Sequence, residues 1–344
     1  MKPKDKQKQD NVLFVGIDLG TSRSAISSSN GMREWIESYD GWPKDFIAEQ
    51  VVGKPVLFGA EALQHRLSLD FCRPLERGII KEGIESSERA VKEIIRHLID
   101  LSKPEPGQRI HAVVGVPAES LKVNKLAIRR AVAEYVHTLM VVSEPFAIAY
   151  GMNLLNNALI IDIGAGTIDF CIMHGTIPSE EDQRTILTAG DYIDEQLFNY
   201  LIEKYPNSKF NMNMVRQFKE QFSFVRDINE QIRVELPVNG KPVMHDIKDE
   251  IGRACESILP SLIETTTEMI ARFDPEFQMK IKNNIVLAGG GSLIRGIGEY
   301  LQDALKEYGT CKVKRVADPL FAGADGALKL AQDMPSKYWE TETL

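Results

Sequence analysis

Two short segments, each an apolar stretch that runs into an aspartate and a glycine turn, have the residue types for phosphate chemistry. The first is Asp18-Leu19-Gly20-Thr21-Ser22, and the second is Asp162-Ile163-Gly164-Ala165-Gly166-Thr167. Each pattern predicts a buried strand, a tight turn and a second strand. Glycines in the turn let the backbone adopt conformations that a Cβ would forbid. The amides of such a turn form a concavity of the size of an anion.

The aspartates add a second kind of chemistry. A carboxylate repels a phosphate, but it suits a divalent cation that the phosphate also binds, often through water. Aligning Asp18 with Asp162 also aligns Gly20 with Gly164, which indicates two similar domains that face each other across one nucleotide. The alternative is a pair of ordinary hairpins in which each aspartate makes a local turn bond.

The composition narrows the class of protein. A chain of 344 residues is long enough for two domains, and its formal charge of −8 opposes nucleic acid as the main partner. The four cysteines lie far apart without a C-x-x-C pair, which predicts reduced thiols in a cytoplasmic protein. We expect no direct insertion into a membrane, because no apolar run approaches the roughly 18 residues of a span.

Strands that alternate with helices predict a mainly parallel α/β sheet. The pattern includes a strand at 110–116, a helix at 124–137 and a strand at 140–142. Short β-like pieces such as Val51-Val52 predict a small insertion on the first domain. The apolar pattern of residues 250–272 predicts one long amphipathic helix. These elements must bring the chemical groups to a common cleft.

Three further segments are candidates for that cleft. Glu144 lies where a strand meets a helix, and a turn at Gly190-Asp191 opens another helix. A third strand runs into Gly289-Gly290-Gly291-Ser292, and a glycine loop before a helix is a usual site for a phosphate or a sugar. The sequence has neither the dinucleotide pattern G-x-G-x-x-G in this position nor a P-loop.

Glu144 admits two interpretations. Pro145 suits the first turn of a helix, so Glu144 lies at a helix start, where an acidic group makes a favourable contact with the helix dipole. A carboxylate at this joint would also point into the expected cleft, where it could orient a water for attack on a terminal phosphate. Lys219 and Glu220, on a later helix, are most simply a solvated pair.

Five segments match, in order, the signature of the actin, Hsp70 and sugar-kinase ATPase superfamily. They resemble its first phosphate hairpin, first connecting helix, second phosphate hairpin, adenosine loop and second connecting helix: Ile17–Thr21, Ser143–Pro145 with Ala149–Gly151, Asp162–Thr167, Gly289–Ser292 and Gly323–Ala327. Within the superfamily, the chain most resembles bacterial actins of the MreB type and of the type that organises magnetosomes. Three stretches carry this resemblance: His137–Phe146, Lys219–Val225 and Asp318–Phe321.

The resemblance implies a fold and its division. The fold would be the two-lobed actin-like ATPase fold, a duplicated ribonuclease-H-like α/β fold with four subdomains. The polar, basic N-terminus differs from MreB, which often has an apolar membrane-binding element there, and this favours a cytoplasmic filament. The expected boundaries are 1–33, 71–150 and 331–344 for subdomain IA, 34–70 for IB, 151–192 and 259–330 for IIA, and 193–258 for IIB.

The resemblance also implies roles for the candidate residues. Asp18 and Asp162 would hold Mg²⁺ mainly through its water shell, and Glu144 would act in hydrolysis with Thr167 and Asp162. The other residues would bind the nucleotide: Gly20, Thr21, Ser22, Gly164, Ala165, Gly166 and Thr167 at the phosphates, Gly190 and Asp191 in a further turn, Lys219 and Glu220 at the nucleoside, and Gly289, Gly290, Gly291 and Ser292 at the adenine and ribose.

The implied function is that of an ATP-hydrolysing bacterial actin. It would polymerise into cytoplasmic filaments and position magnetosomes through an adaptor protein, with ATP/ADP and Mg²⁺ as cofactors. The sequence leaves open a preference for ATP or GTP. The alternatives on the same fold are a metabolic phosphotransferase or polyphosphate hydrolase, which the small insertion at 35–70 opposes, and an Hsp70-like chaperone, which the short chain after the second connecting helix opposes.

Overall fold

The structure is a computed structural model, and it describes residues 11–80, 85–119, 121–132, 134–226, 228–335, 337 and 339. The first ten residues, which distinguish the sequence from MreB-type proteins, lie outside this part of the chain. Residues 340–344, at the end of the expected subdomain IA, also lie outside it.

The first lobe has a five-stranded main sheet, with a three-stranded sheet and a hairpin beside it in the described residues. Its strands are β1 (Val12–Leu19), β2 (Arg23–Ser28), β3 (Arg33–Glu37), β4 (Asp40–Pro43), β5 (Leu57–Phe58), β6 (Leu69–Cys72), β7 (Leu75–Glu76), β8 (Ile79–Ile80), β9 (Arg109–Val116) and β10 (Thr138–Ser143). Its helices are α1 (Phe46–Val52), α2 (Gly59–Gln64), α3 (Glu85–Leu101), α4 (Leu121–Val132) and α5 (Glu144–Gly151).

The second lobe has its own five-stranded main sheet and one separate hairpin in the described residues. Its strands are β11 (Asn156–Ile163), β12 (Ile168–His174), β13 (Gln183–Ile186), β14 (Arg233–Val238), β15 (Lys241–Asp246), β16 (Ile285–Ala288) and β17 (Val313–Arg315). Its helices are α6 (Gly190–Lys204), α7 (Met212–Phe222), α8 (Lys248–Glu256), α9 (Leu259–Ala271), α10 (Pro275–Lys282) and α11 (Ile297–Ala304), and α12 (Ala322–Asp333) returns to the first lobe.

The main sheets of the two lobes share one topology. Their strand orders are β10-β9-β1-β2-β3 and β17-β16-β11-β12-β13. Their register also agrees, since Asp18 lies opposite Gly115 on β9 and Asp162 lies opposite Ala288 on β16. This agreement confirms the expected duplication. The expectation of mainly parallel sheets is wrong, because β1-β2-β3 and β11-β12-β13 are antiparallel meanders.

Helices α5 and α12 lie between the two main sheets. Helix α5 follows a strand of the first lobe but packs on β11 and β12, and α12 follows a strand of the second lobe but packs on β1 and β9. The two helices touch through their backbones, because a Cβ added to Gly326 would lie 2.0 Å from the carbonyl oxygen of Ala147. The subdomain boundaries stay a prediction. Residues 322–330, which were expected in IIA, pack on the first lobe.

Capping explains why the expected strand at Val51-Val52 is part of helix α1. The Asp45 carboxylate accepts hydrogen bonds from the amides of Ile47 and Ala48, at 3.0 and 2.9 Å. Gly53 ends the helix with a left-handed φ of 68°. These two caps satisfy backbone groups at both helix ends, and they outweigh the β propensity of the valines.

The long helix expected at 250–272 is two helices, α8 and α9. Helix α9 starts at Leu259 with Pro260 in its first turn. A proline has no N–H and cannot continue the hydrogen-bond ladder of a preceding helix, but it fits the start of a new one. In the described part of the chain, no helix has both the length and the apolar character needed to cross a bilayer.

We predict that Gly326→Ala lowers the free energy of unfolding by about 1–3 kcal/mol, because the added methyl group overpacks the contact between α5 and α12. Urea unfolding followed by circular dichroism measures this change. Gly298→Ala is the matched control, since it also lies in a helix and its Cβ would meet nothing nearer than 3.8 Å. Equal losses of stability in the two variants would contradict the backbone contact.

Candidate functional site

A cavity of about 430 Å³ lies between the two lobes, where strands β1, β9, β11 and β16 end. Ligands of α/β folds bind at the carboxyl ends of strands, because loops and helix starts gather there. The predicted site residues that line the cavity are Asp18, Gly20, Thr21, Ser22, Glu144, Asp162, Gly164, Ala165, Gly166, Thr167, Gly190, Lys219, Glu220, Gly289, Gly290 and Gly291.

Three carboxyl groups meet at the floor of the cavity. Glu144 and Asp162 are each 7% exposed, and the side chain of the half-buried Asp18 lies beside that of Glu144. Burial raises the pKa of Asp18 to about 7. Burial and the neighbouring negative charges also raise the pKa of Glu144 and of Asp162. The cluster is therefore costly when fully ionised, and a bound cation would lower that cost.

The donor set fits Mg²⁺ held mainly through water. Mg²⁺ prefers oxygen ligands, keeps several of its waters and is usually bound by one or two carboxylates together with phosphates. One carboxyl oxygen of Glu144 has no hydrogen-bond partner among the described residues. No group of three or more His, Cys, Asp and Glu side chains in the described ranges is placed to enclose a metal ion directly. Asp18 and Asp162 are the residues that would face its water shell.

Glycines let the two turns approach each other and the carboxylates. A Cβ added to Gly166 would lie 2.6 Å from the hydroxyl oxygen of Thr21, so the turns of the two lobes are in contact. Gly289 has a φ of 70°, and its Cβ would lie 2.3 Å from a carboxyl oxygen of Asp162. Neither position accepts a larger residue without displacement of the site.

The start of helix α6 is bonded to the second turn. The amide of Gly190 donates to the carbonyl of Gly164 at 3.1 Å, and the amide of Asp191 donates to the carbonyl of Ala165 at 2.7 Å. The Lys219 ammonium donates to the carbonyl of Gly190 at 2.7 Å. These bonds join helix α6, helix α7 and the turn into one wall of the cavity.

Lys219 and Glu220 do not pair with each other, and only Glu220 is exposed. Lys219 forms an ion pair with Asp194 at 2.9 Å, and its side chain is only 13% exposed. Glu220 accepts a hydrogen bond at 3.0 Å from Arg23, which belongs to the first lobe. The two side chains therefore have different partners. The contact between Glu220 and Arg23 joins the two lobes across the cavity.

Asp191 and Ser292, also expected at the nucleotide, do not line the cavity. The Asp191 carboxylate accepts two hydrogen bonds from Arg73, at 2.8 and 3.0 Å, and this pair joins the lobes. The Ser292 hydroxyl donates to the carbonyl of Gly289 at 2.7 Å, and the residue is 2% exposed. Each supports a loop beside the cavity, and its expected contact with the nucleotide stays a prediction.

The cavity also has lining residues that the sequence reasoning did not select, among them Arg23, Pro117, Arg216, Pro319 and Leu320. Helical spacing could have indicated Arg216, since it lies one turn before Lys219 and Glu220. Pro117 directly follows strand β9, and Arg23 directly follows the first turn. No local sequence pattern marks Pro117 and Arg23 as residues of the site, because the residues they meet there belong to distant parts of the chain.

Comparison with known proteins identifies the family. The family model described as MreB/Mbl protein matches residues 51–338. The chain belongs to the MreB/Mbl family. The geometry of this MreB/Mbl chain agrees with that membership, because two similar lobes enclose a cavity between paired glycine turns.

Relatives and solved structures of this MreB/Mbl chain agree on an actin-like fold. The actin-like protein MamK of Paramagnetospirillum magneticum is 42% identical over 329 residues, which cover 96% of this chain and 95% of that protein. A MamK double helical filament matches with a TM-score of 0.92 and 41% identity, over 94% of this chain and 100% of that chain. A non-polymerising MamK mutant bound to AMPPNP matches with a TM-score of 0.73 and 41% identity, over 94% and 99%. The resemblance to bacterial actins is confirmed.

We predict that Asp18→Asn stabilises the nucleotide-free protein at alkaline pH. Since burial raises the pKa of Asp18 from 3.8 to about 7, the folded protein binds more protons than the unfolded chain between these values. Stability from this group is therefore lost as the pH rises through that range. Asn removes the loss, so the melting temperature should exceed that of the wild type by at least about 2–4 °C at pH 8 and equal it near pH 4.

Differential scanning calorimetry at several pH values measures this difference. Asp70→Asn, an exposed position on β6, is the matched control and should melt with the wild type at every pH. An Asp18→Asn curve that runs parallel to the wild-type curve over the whole range would contradict the raised pKa.

Proposed function

We propose that this chain binds ATP with Mg²⁺ between its lobes, hydrolyses it, and assembles into filaments in its ATP-bound state. The observation that carries the proposal is the meeting of two glycine turns, one from each lobe, at three carboxyl groups, of which those of Glu144 and Asp162 are buried and that of Asp18 is half-buried. The nucleotide is supported by the AMPPNP-bound MamK relative. Assembly is supported by the MamK relative solved as a double helical filament.

The phosphates are proposed to lie between the turns at 20–22 and 164–166. Amides of such turns bind anions, and the contact between Gly166 and Thr21 keeps the two turns within reach of one ligand. Asp18 and Asp162 would hold Mg²⁺ through its waters. When bound, the ion would offset the charge of the phosphates and of the carboxylates together.

Glu144 is proposed to orient the attacking water, with Thr167 as the second contact. The residue lines the cavity, one of its carboxyl oxygens is buried without a hydrogen-bond partner among the described residues, and its raised pKa improves it as an acceptor of a proton. Asp162 would act at the same phosphate through the waters of the Mg²⁺ ion that it would hold. A residue that acts only on the water should affect hydrolysis much more than binding of ATP.

The nucleoside is proposed to occupy the part of the cavity lined by Glu220, Lys219 and the loop at 289–291. Glu220 offers a carboxylate to ribose hydroxyls or to a base amine, and Gly290 leaves open space, since a Cβ there would meet nothing within 4 Å. Pro319 and Leu320 supply apolar surface for the base.

Closure of the cleft is proposed to link the nucleotide to assembly. A ligand that binds both turns favours the arrangement in which the lobes are together. Protomers held in that arrangement can repeat one head-to-tail contact, which forms a filament when the contact does not close into a ring. Among the described residues, the contacts that join the lobes across the cavity include Arg23 with Glu220, Arg73 with Asp191, and Arg216 with Tyr39.

In the cell, we propose a cytoplasmic filament that positions magnetosomes through an adaptor protein. The support is the resemblance to magnetosome-organising actins together with the match to MamK along 96% of this chain. Expression of the chain in a magnetosome-forming bacterium that lacks its own MamK tests this role. Ordered magnetosome chains would support it, and filaments beside scattered magnetosomes would contradict it.

Sedimentation with ATP, with ADP and without nucleotide tests the assembly. We predict that polymer pellets with ATP and Mg²⁺, that ADP gives less polymer, and that negative-stain microscopy shows filaments in the ATP sample. The control is ATP with excess EDTA, which should remove the polymer because the carboxylate cluster then lacks its cation. Absence of polymer over a range of protein and salt concentrations, with turnover that rises on addition of a sugar, would favour a sugar kinase.

We predict that Glu144→Ala lowers the rate of phosphate release by at least about 100-fold, because a general acid–base residue contributes roughly 10²–10⁴. The affinity for ATP should stay within about threefold, because the phosphate turns are unchanged. Single-turnover phosphate release and titration with a fluorescent ATP analogue measure the two quantities. Glu268→Ala, an exposed glutamate on α9, is the control. Normal hydrolysis by Glu144→Ala would refute its assignment.

A further inference from the structure

Arg33, at the start of β3 in the first lobe, forms a side-chain cluster with the segment that joins β17 to α12. Its guanidinium donates to the Asp325 carboxylate from Nε at 3.1 Å and from Nη2 at 2.8 Å. The same Nη2 donates to the Asp318 carboxylate at 2.9 Å. The guanidinium also stacks on Phe321, with its central carbon 4.1 Å from the ring centre. These four residues, called the arginine cluster below, do not line the cavity between the lobes.

The segment that Arg33 contacts is where the chain crosses from the second lobe to the first. Strand β17 ends at Arg315, and α12, which begins at Ala322, packs on β1 and β9. The amide of Val316 donates to the carbonyl of Leu287 on β16 at 3.0 Å, and this bond fixes the start of the crossing to the second lobe. Arg33 fixes the remainder to the first lobe. The crossing is therefore held by both lobes.

Two residues within this crossing line the cavity. They are Pro319 and Leu320, and both are half-buried. Asp318 directly precedes them and Phe321 directly follows them, so Arg33 contacts the chain on both sides of the cavity wall. A loop that is fixed at both sides loses less conformational freedom when a ligand packs on it, and the ligand then binds more tightly.

The arginine cluster is a network and not a lone surface ion pair. An isolated exposed ion pair contributes little, and the side chains of Arg33, Asp318 and Asp325 are each almost half exposed. Arginine, however, has a planar fork that can bond two carboxylates while its face stacks on an aromatic ring. The hydroxyl of Ser27 also donates to Asp325 at 2.6 Å, which helps to orient that carboxylate towards Arg33.

We propose that Arg33 is a positioning residue for the nucleoside, because it holds Pro319 and Leu320 in place as one wall of the site for the base. The inference rests on the proposed binding of ATP with its base at these two residues. Arg33 acts on the base through the loop and does not touch it. The phosphate turns at 20–22 and 164–166 belong to other segments, so the effect is confined to the part of the ligand that carries the base.

Arg33→Ala tests this role through two ligands, ATP and inorganic tripolyphosphate, each with Mg²⁺. The variant removes the hydrogen bonds and the stacking contact of a half-exposed side chain, so the fold should persist. We expect the affinity for ATP to fall by about tenfold, because the loop must then be ordered on binding. The affinity for tripolyphosphate, which has no base, should stay within about twofold. Calorimetric titration measures both affinities.

Arg253→Ala is the matched control for this titration. Arg253 also stacks on an aromatic ring, that of Tyr200 at 4.2 Å, and neither residue lines the cavity. This variant should keep the wild-type affinity for both ligands. An unchanged affinity for ATP in Arg33→Ala, or an equal loss for ATP and for tripolyphosphate, would overturn the proposal.

A double-mutant cycle with Asp318→Ala shows whether Arg33 acts through the cluster. Asp318→Ala alone should lower the affinity for ATP by at least about threefold. In the Arg33→Ala background the same substitution should change it by less than about 1.5-fold, because residues of one network have coupled effects. An equal loss in both backgrounds, or no loss in either, would contradict action through the cluster.

Hydrogen exchange tests the loop in the nucleotide-free protein. The amide of Ala322 donates to the carbonyl of Asp318 at 3.1 Å, so its exchange rate reports the order of the crossing. Arg33→Ala should speed this exchange by at least about tenfold, and Arg253→Ala should leave it unchanged. An unchanged rate in Arg33→Ala would overturn the proposal. Should the wild type bind no ATP, the proposed function fails, and the exchange rate still decides whether Arg33 holds the loop.

Discussion

The clustering of three carboxyl groups, two of them buried and one half-buried, at one point between two lobes is the constraint on which the rest of the structure depends. Asp18 and Asp162 end equivalent strands, and Glu144 starts the helix that follows a third. Like charges in a buried place raise one another's pKa, and the arrangement is costly without a cation. A fold that accepts such a cost at the junction of its two lobes makes that junction responsive to a charged ligand.

The backbone contacts of the connecting helices keep these groups together. Helix α5 carries Glu144 and packs on the second lobe, while α12 packs on the first and meets α5 at Gly326. A Cβ at Gly323 would lie 2.3 Å from a carboxyl oxygen of Asp18, so the start of α12 also bounds the acidic cluster. Movement of either helix would therefore displace a carboxylate, which links lobe movement to the site.

The two lobes are duplicated in topology but not in chemistry. Their sheets share strand order and register, yet Asp169 of the second lobe corresponds to Ala25 of the first. The second lobe also contributes Lys219 and Glu220, whose ion pairs reach Asp194 and the first lobe. The elements that the two lobes share form the two phosphate turns. The residues that differ between the lobes make the two sides of the site chemically distinct, so that a ligand binds in one orientation.

The sequence by itself determined the features that depend on neighbours along the chain. Strand–turn–strand patterns at Asp18 and Asp162 were readable because the alternation of apolar residues and glycines is local, and the family motifs located Glu144. Only the tertiary structure decided that Asp191 pairs with Arg73 and that Asp169 holds Ala118, since these partners are far apart in sequence. Hydrogen bonds and charges act over a few ångströms in space, and no periodicity in the sequence records which distant residues the fold brings within that range.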